Sequence, residues 1–225
     1  MASCLPLLQL VSPALPVGAF SYSEGLEVLV QQGVVGDSAS LQQWLAAELS
    51  QGVLSLEVAA LKRLGGQLQA WNEDPLGPHG SQLRDLDGWL LALREAPELR
   101  AQQLQMGGSL LRLLADLGWP LPDGCLDLGW PAAWAWAGQA LGVSAPELQQ
   151  GYLYSWVANQ LSAALRLLSL GPTQAQRLQL QLAPLISERA LALAEADPQQ
   201  LWTAGVGAGL AQLQHSSLYS RLFRS

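Results

Sequence analysis

Leucine dominates the apolar part of this 225-residue chain, and that choice limits the folds open to it. Leucine occupies 50 positions, whereas valine, isoleucine and threonine together occupy 14. Leucine, alanine and glutamine are favourable in helices, while strands are enriched in β-branched residues. Half of the residues are hydrophobic, which is enough for a sizeable core and excludes general disorder. The composition therefore predicts an all-α fold, a bundle of about eight to ten helices.

The charge balance is acidic, with a formal net charge of −7. A general nucleic-acid binder needs a basic face, so that class of protein is excluded. No acid follows Asp197, while Arg221 and Arg224 stand near the end of the sequence, so an acidic body carries a basic tail. From charge alone, a solvated terminus is the simpler interpretation of that tail.

Cysteine usage and apolar segments indicate the compartment. Cys4 and Cys125 have no CxxC spacing, which is typical of a reducing environment. The uncharged first 23 residues lack a basic n-region and are interrupted by prolines, unlike a signal peptide. A second uncharged stretch, 128–146, also contains proline and glycines, which favours a buried helix over a membrane span. We expect a cytoplasmic protein without a membrane segment.

No long repeat or linker divides the chain, so residues 1–225 are predicted to form one domain. Residues 1–20 are expected to form an extended N-terminal segment, and residues 205–225 a C-terminal tail. The S-x-x-E pattern beginning at Ser21 predicts a helix with Ser21 as N-cap and Glu24 at N3, ending near Gly33.

Further helices are predicted from apolar spacing and from proline and glycine positions. A helix capped by Asp37 or Ser38 is followed by one that ends at Gly65-Gly66, and 72–80 is predicted as a loop. Later helices are predicted at 81–95, 97–117, 131–142, 145–169 and 173–196, with a short one after Asp197. The glycine-rich run 205–209 faintly resembles a nucleotide loop, but no strand precedes it, so a flexible connector is favoured.

Catalytic patterns are missing from the sequence. A hydrolase or NTPase would show a nucleophile with a base, paired carboxylates, or motifs such as H-E-x-x-H or G-x-x-x-x-G-K-[ST]. None of these is present, and the two histidines, His79 and His215, are far apart. We therefore predict no catalytic residues and no enzymatic activity. His215 is the one candidate metal ligand, although a lone histidine is more often a polar interface group.

Two groups of residues are candidate contacts for a protein partner. Glu24 and Glu27 are three apart, so a helix would place them on neighbouring parts of one face, where they could receive a partner's arginine. The alternative is a capping glutamate plus a first-turn acid stabilised by the helix dipole. The tail supplies the second group, in which aromatic, apolar and arginine side chains alternate: Tyr219, Arg221, Leu222, Phe223 and Arg224.

Both ends of the chain resemble the UreF family of urease accessory proteins. The stretch SPALPVGAFSYSEGLE, residues 12–27, resembles the family's N-terminal signature, and HSSLYSRLFRS, residues 215–225, its C-terminal one. Residues 131–142 and 152–176 are similar to intervening family segments. Gly171-Pro172-Thr173 replaces the usual Gly-Gln-Thr, and His215-Ser216 replaces a frequent His-Glu pair. Motif residues expected to shape the N-terminal segment are Pro13, Pro16, Gly18, Phe20, Ser21, Tyr22 and Gly25.

The resemblance implies an all-helical cytoplasmic protein, commonly a homodimer, that acts as a chaperone or scaffold rather than as an enzyme. Such a protein binds UreD (also called UreH), recruits the GTPase UreG and engages apo-urease, so that nickel is inserted and a lysine is carbamylated. No stably bound cofactor is implied, and nickel contact would be transient. Because the tail has no evident helical face of its own, it is expected to be mobile in the free protein and to become ordered on UreD. Docking of the tail onto the chain's own core is the alternative.

Two alternatives remain open. One is a regulator of the UreG GTPase, in which an acid or arginine of this chain touches the nucleotide site. The other is a nickel metallochaperone that uses His215, against which the scarcity of histidine and cysteine argues.

Overall fold

The computed structural model describes residues 4–225, which contain ten α-helices and no strand, so the all-α prediction is confirmed. Three residues of the N-terminal segment lie outside the described range. The helices are α1 Leu5–Leu10, α2 Leu26–Gln31, α3 Ser38–Gln51, α4 Leu54–Glu73, α5 His79–Ala92, α6 Pro97–Asp116, α7 Trp130–Leu141, α8 Glu147–Leu167, α9 Pro172–Leu193 and α10 Val206–His215.

Helix α4 lies at the centre of the core and packs against α7, α5, α3, α8 and α9. Its leucines at 61, 64 and 68 are fully buried, as is Trp134 on the Trp-rich helix α7. Helix α6 also packs against α7, and α8 packs against α9. This layered burial of apolar stripes is the usual way in which helices without a sheet form a core.

Several predicted helix ends are confirmed where the signal is local. The Asp37 side chain accepts a hydrogen bond from the Ser40 backbone N–H, Pro97 stands at the first position of α6, and Gly142 ends α7 in a left-handed conformation. Asp197 caps a short 3-10 turn over Pro198–Gln200. None of the described helices has the length and apolarity needed to cross a bilayer.

The predicted helix start at Ser21 is wrong. Ser21 closes a 3-10 turn over Ala19–Ser21, and Tyr22 is extended. Glu24 and Gly25 then adopt left-handed φ angles of 51° and 90°, so α2 begins at Leu26. Glu24 therefore cannot occupy an N3 position, and the S-x-x-E pattern here marks a sharp turn instead of a capping box.

Two other boundaries differ because tertiary packing overrides local signals. Helix α4 continues through Gly65-Gly66, because Gly65 faces α7: a Cβ there would lie 3.1 Å from Gln139 Nε2. The predicted connector at 205–209 is instead the beginning of α10. The two end segments are less extended than predicted, since one contains α1 and the other α10.

Candidate partner-binding site

The two signature segments at the ends of the chain meet on one side of the bundle. The Ser225 backbone oxygen accepts hydrogen bonds from the backbone N–H groups of Ser23 (2.7 Å) and Glu24 (3.1 Å). The Arg224 N–H donates to the Ser21 carbonyl over 2.9 Å. The left-handed turn at Glu24 thus directs its N–H toward the tail. We call this contact between residues 21–27 and 215–225 the end junction.

Glu27 is the main acceptor in the end junction, and it is 2% exposed. Its carboxylate accepts the backbone N–H of Leu222 (2.7 Å) and of Phe223 (3.1 Å). His215 Nε2 lies 3.2 Å from the same carboxylate. The expectation that Glu27 forms an exposed acidic surface is therefore wrong, because the residue holds the chain's own tail.

His215 is fully buried between two carboxylates. Its Nε2 faces Glu27, and its Nδ1 lies 2.9 Å from Glu98 Oε2 on α6. Glu98 also accepts a hydrogen bond from Arg221 over 2.7 Å. Within residues 4–225, no group of three or more histidine, cysteine, aspartate or glutamate side chains is arranged to hold a metal ion. Through these two contacts His215 connects α10 to α2 and α6.

Glu24 is also buried. Its carboxylate belongs to a polar network in the core and is not part of the protein surface. Its carboxylate accepts hydrogen bonds from Gln102 (2.7 Å) and from the indole of Trp156 (3.1 Å), and it lies 3.9 Å from Arg94. The predicted exposed surface is thus wrong for Glu24 as well.

The same Arg94 donates to Glu57, which also accepts the Tyr152 hydroxyl over 2.8 Å. Burial raises the pKa of Glu57, while the Arg94 charge and the Tyr152 hydroxyl act in the opposite direction. Arg94 and Glu57 could not be found from the sequence, because neither stands in a recognisable motif and their contact joins α4 to the segment after α5.

The two aromatic side chains of the tail differ in burial. Phe223 is buried, and the Arg166 guanidinium lies 4.5 Å from its ring centroid. Arg166 also donates to the Phe20 carbonyl, over 3.4 Å. Tyr219, by contrast, is completely exposed, Leu222 is 49% exposed, and Arg224 projects its side chain outward. The tail is therefore held on the body at some positions and left open at others.

The other motif residues support this arrangement. Gly18 takes a left-handed φ of 74° before the 3-10 turn, and Pro13 and Pro16 stand in the exposed turns that precede it. Tyr22 is buried. Gly25 lies against α10, where a Cβ would come within 3.3 Å of the Ala211 side chain. Phe20 remains 69% exposed. The end junction presents backbone and side-chain groups that suit protein recognition, and their role as partner contacts stays a prediction.

Comparison with known proteins agrees with the signatures at both ends. The UreF family profile matches residues 35–183. The urease accessory protein UreF of Microcystis aeruginosa is 43% identical, over 98% of this chain and 97% of its own length. Those of Synechocystis sp. and Trichormus variabilis are each 40% identical over 98% of this chain, and cover 97% and 95% of their own lengths. The chain belongs to the UreF family of urease accessory proteins.

Proposed function

We propose that this accessory protein, which is not itself an enzyme, acts as a scaffold in the maturation of urease by nickel insertion. Family membership supports a place in a urease accessory complex. We further propose that its partners there are UreD (UreH), the GTPase UreG and apo-urease, and that it works in the cytoplasm as a homodimer. Nickel contact would be transient and would involve the assembled complex, since both nitrogens of His215 already face carboxylates.

One observation supports the partner-binding part of this proposal: the tail is fixed to the body at some positions and exposed at others. Glu27 and Phe223 fix the tail to the body, while Tyr219 and Arg224 remain exposed, and the Arg224 backbone is hydrogen-bonded to Ser21 of the N-terminal signature. A fixed backbone that presents tyrosine and arginine lowers the ordering cost of binding, and these residue types are enriched at interface hot spots.

A binding measurement with purified UreD tests this proposal. We expect the wild-type chain to bind UreD, and Tyr219→Ala combined with Arg224→Ala to weaken binding by about tenfold or more, since each 1.4 kcal/mol is tenfold. Circular dichroism should show the same helicity for both proteins, because both side chains are exposed. Equal binding by the double variant would contradict the assignment of this surface.

Regulation of UreG is the second candidate function, and the free Arg224 guanidinium favours it. Within the described residues Arg224 has no side-chain hydrogen bond or ion pair, so its charge is open to a partner. GTP hydrolysis by UreG, measured with wild-type and Arg224→Ala protein in the presence of UreD, separates a regulator from a passive scaffold. A rate that depends on Arg224 supports regulation, and identical rates contradict it.

A further inference from the structure

His215 is completely buried, and both of its ring nitrogens lie within hydrogen-bond distance of a carboxylate. Nδ1 lies 2.9 Å from Glu98 Oε2 on α6, and Nε2 lies 3.2 Å from Glu27 Oε2 on α2. A neutral imidazole has one donor nitrogen and one acceptor nitrogen, and an ionised carboxylate only accepts. Two hydrogen bonds among these three groups therefore need two protons, one more than a neutral histidine and two ionised acids supply.

The other contacts of the two acids place the additional proton on His215. Glu27 also accepts two backbone N–H groups of the tail, at 2.7 Å and 3.1 Å. Glu98 accepts a hydrogen bond from the Arg221 guanidinium at 2.7 Å. Donors of this kind stabilise the ionised form of a carboxyl group. His215 is thus the group that takes up the proton, and as an imidazolium it donates from both nitrogens and keeps no lone pair for a metal ion.

The other charged groups around this site are directed elsewhere. Arg100 of α6 donates to the backbone carbonyls of residues 94 and 95, and Glu24 accepts from side chains of α6 and α8. Glu95 lies beside the first half of α10, which has no other ionisable side chain than His215. Arg221 offsets one of the two negative charges that face the imidazole, and the proton on His215 offsets the other. Without that proton, the buried site would have an uncompensated negative charge.

We propose that His215 is a proton-dependent switch, which holds the tail on the body while it is charged and releases the tail when it loses its proton. A histidine in an open, solvated segment loses its proton near pH 6.5. Above that pH the closed end junction binds one proton more than the open one, so closure is strongest at low pH and weakens as the pH rises. The tail responds because its backbone and His215 share the Glu27 carboxylate.

Nitrogen-15 NMR of the full chain tests the charge on His215. The second histidine, His79 at the beginning of α5, supplies reference signals for the charged ring at low pH and for the neutral ring at high pH. We expect both nitrogens of His215 to carry a proton at pH 7.5. A neutral His215 ring at that pH would overturn the proposal.

Hydrogen exchange of the Leu222 and Phe223 amides, which donate to Glu27, tests the release of the tail. The amides of α4, at the centre of the core, serve as the reference. After correction for the intrinsic exchange rate, protection of the two tail amides should fall by about tenfold or more between pH 6.5 and pH 8.5. In His215→Gln, whose side chain cannot be charged, protection should be low at both values. Equal protection of the wild-type tail at pH 6.5 and pH 8.5 would overturn the switch.

A second variant keeps the test decisive if His215→Gln does not fold. Glu98→Gln removes one of the two carboxylates that hold the proton, so the loss of tail protection should move to lower pH. Glu188→Gln, which changes an exposed acid on α9, is the matched control and should behave as wild type. An identical pH profile for Glu98→Gln and wild type would contradict the assignment of the proton to this site.

One consequence rests on the proposed function: a partner that needs the fixed tail should bind more weakly as the pH rises. Calorimetry with purified UreD at pH 6.5 and pH 8.5 measures this, and the difference should be smaller in His215→Gln. If the wild type binds UreD at neither pH, the proposed function fails, while NMR and exchange on the free chain still decide the switch. If binding is equal at both values although the tail responds, this consequence is overturned.

Discussion

Glu27 illustrates how a single buried carboxylate organises the end junction. It accepts two backbone N–H groups from the tail and faces the imidazole of His215, all in a position that is 2% exposed. Backbone donors that lose their acceptor in such a place pay the full cost of desolvation. Glu27 therefore fixes the position of the tail. Any effect of Glu27 on partner binding would be indirect, through the tail.

Glu27→Ala should lower the free energy of unfolding by about 3 kcal/mol, because the N–H groups of Leu222 and Phe223 lose their acceptor and His215 Nε2 loses its carboxylate. Urea denaturation measures this change. Glu188→Ala, which removes an exposed acid on α9, is the control and should stay within about 0.5 kcal/mol of wild type. A loss no greater than that of the control would show that the tail does not depend on Glu27.

Gly25 and Gly33 form a matched pair for testing the contact between α2 and α10. Both have left-handed φ angles, 90° and 73°, but a Cβ would meet Gln212 at 3.2 Å at the first position and nothing within 4 Å at the second. Gly33→Ala should cost about 1 kcal/mol from backbone strain alone. Gly25→Ala should cost roughly 2–3 kcal/mol, since a clash is added. Equal losses in urea denaturation would mean that α10 does not pack as described.

Sequence patterns predicted the residues whose roles are local and missed those whose roles depend on distant contacts. The Asp37 cap and the left-handed Gly142 are determined by a few neighbouring residues, so their positions were predictable. Ser21 and Glu24 have the same kind of pattern as a capping box. In the structure, however, the backbone of residues 21–24 is hydrogen-bonded to the tail, and this pairing requires a turn instead of a helix start. Such competition between local and tertiary bonding is invisible in one sequence.

At the scale of elements, the leucine periodicity predicted most helices, while glycines misled at two places. Gly65 permits close packing of α4 on α7, whereas Gly207 and Gly209 lie within α10 with no contact closer than 3.6 Å for an added Cβ. A glycine that ends a helix and one that stands inside a helix look alike in sequence. The candidate site followed the same rule: its two segments were predictable, and their contact with each other was not.

The tail behaves as part of the body, contrary to the expectation that it is mobile in the free protein. Removing residues 216–225 should therefore lower the Tm by about 5 °C or more, since it exposes the cavity of Phe223 and leaves Glu27 without its donors. Thermal unfolding followed by circular dichroism measures this. An unchanged Tm would show that the tail adds nothing to the stability of the free protein.

At the scale of the whole molecule, buried acids make stability depend on pH. Burial raises the pKa of Glu48 to about 7 and that of Asp87 to about 6. These groups hold protons in the folded state that they lose on unfolding between about pH 4.5 and pH 7. The free energy of unfolding should therefore fall as the pH rises through this window.

Urea denaturation at pH 5, 6, 7 and 8 tests this dependence, with a slope of up to about 1.4 kcal/mol per pH unit for each proton involved. Glu48→Gln together with Asp87→Asn should flatten the profile, because two of the titrating groups are removed. A wild-type stability that rises steadily from pH 5 to pH 8 would contradict the described burial of these acids.

Activation of urease tests the central claim most directly. Apo-urease, UreD and UreG are combined with GTP, bicarbonate and Ni²⁺, and urea hydrolysis is measured with and without this chain. We expect activation to require the chain, to fall strongly with Tyr219→Ala combined with Arg224→Ala, and to be unaffected by Glu188→Ala. Equal activation in the absence of the chain would contradict its role as a urease accessory scaffold.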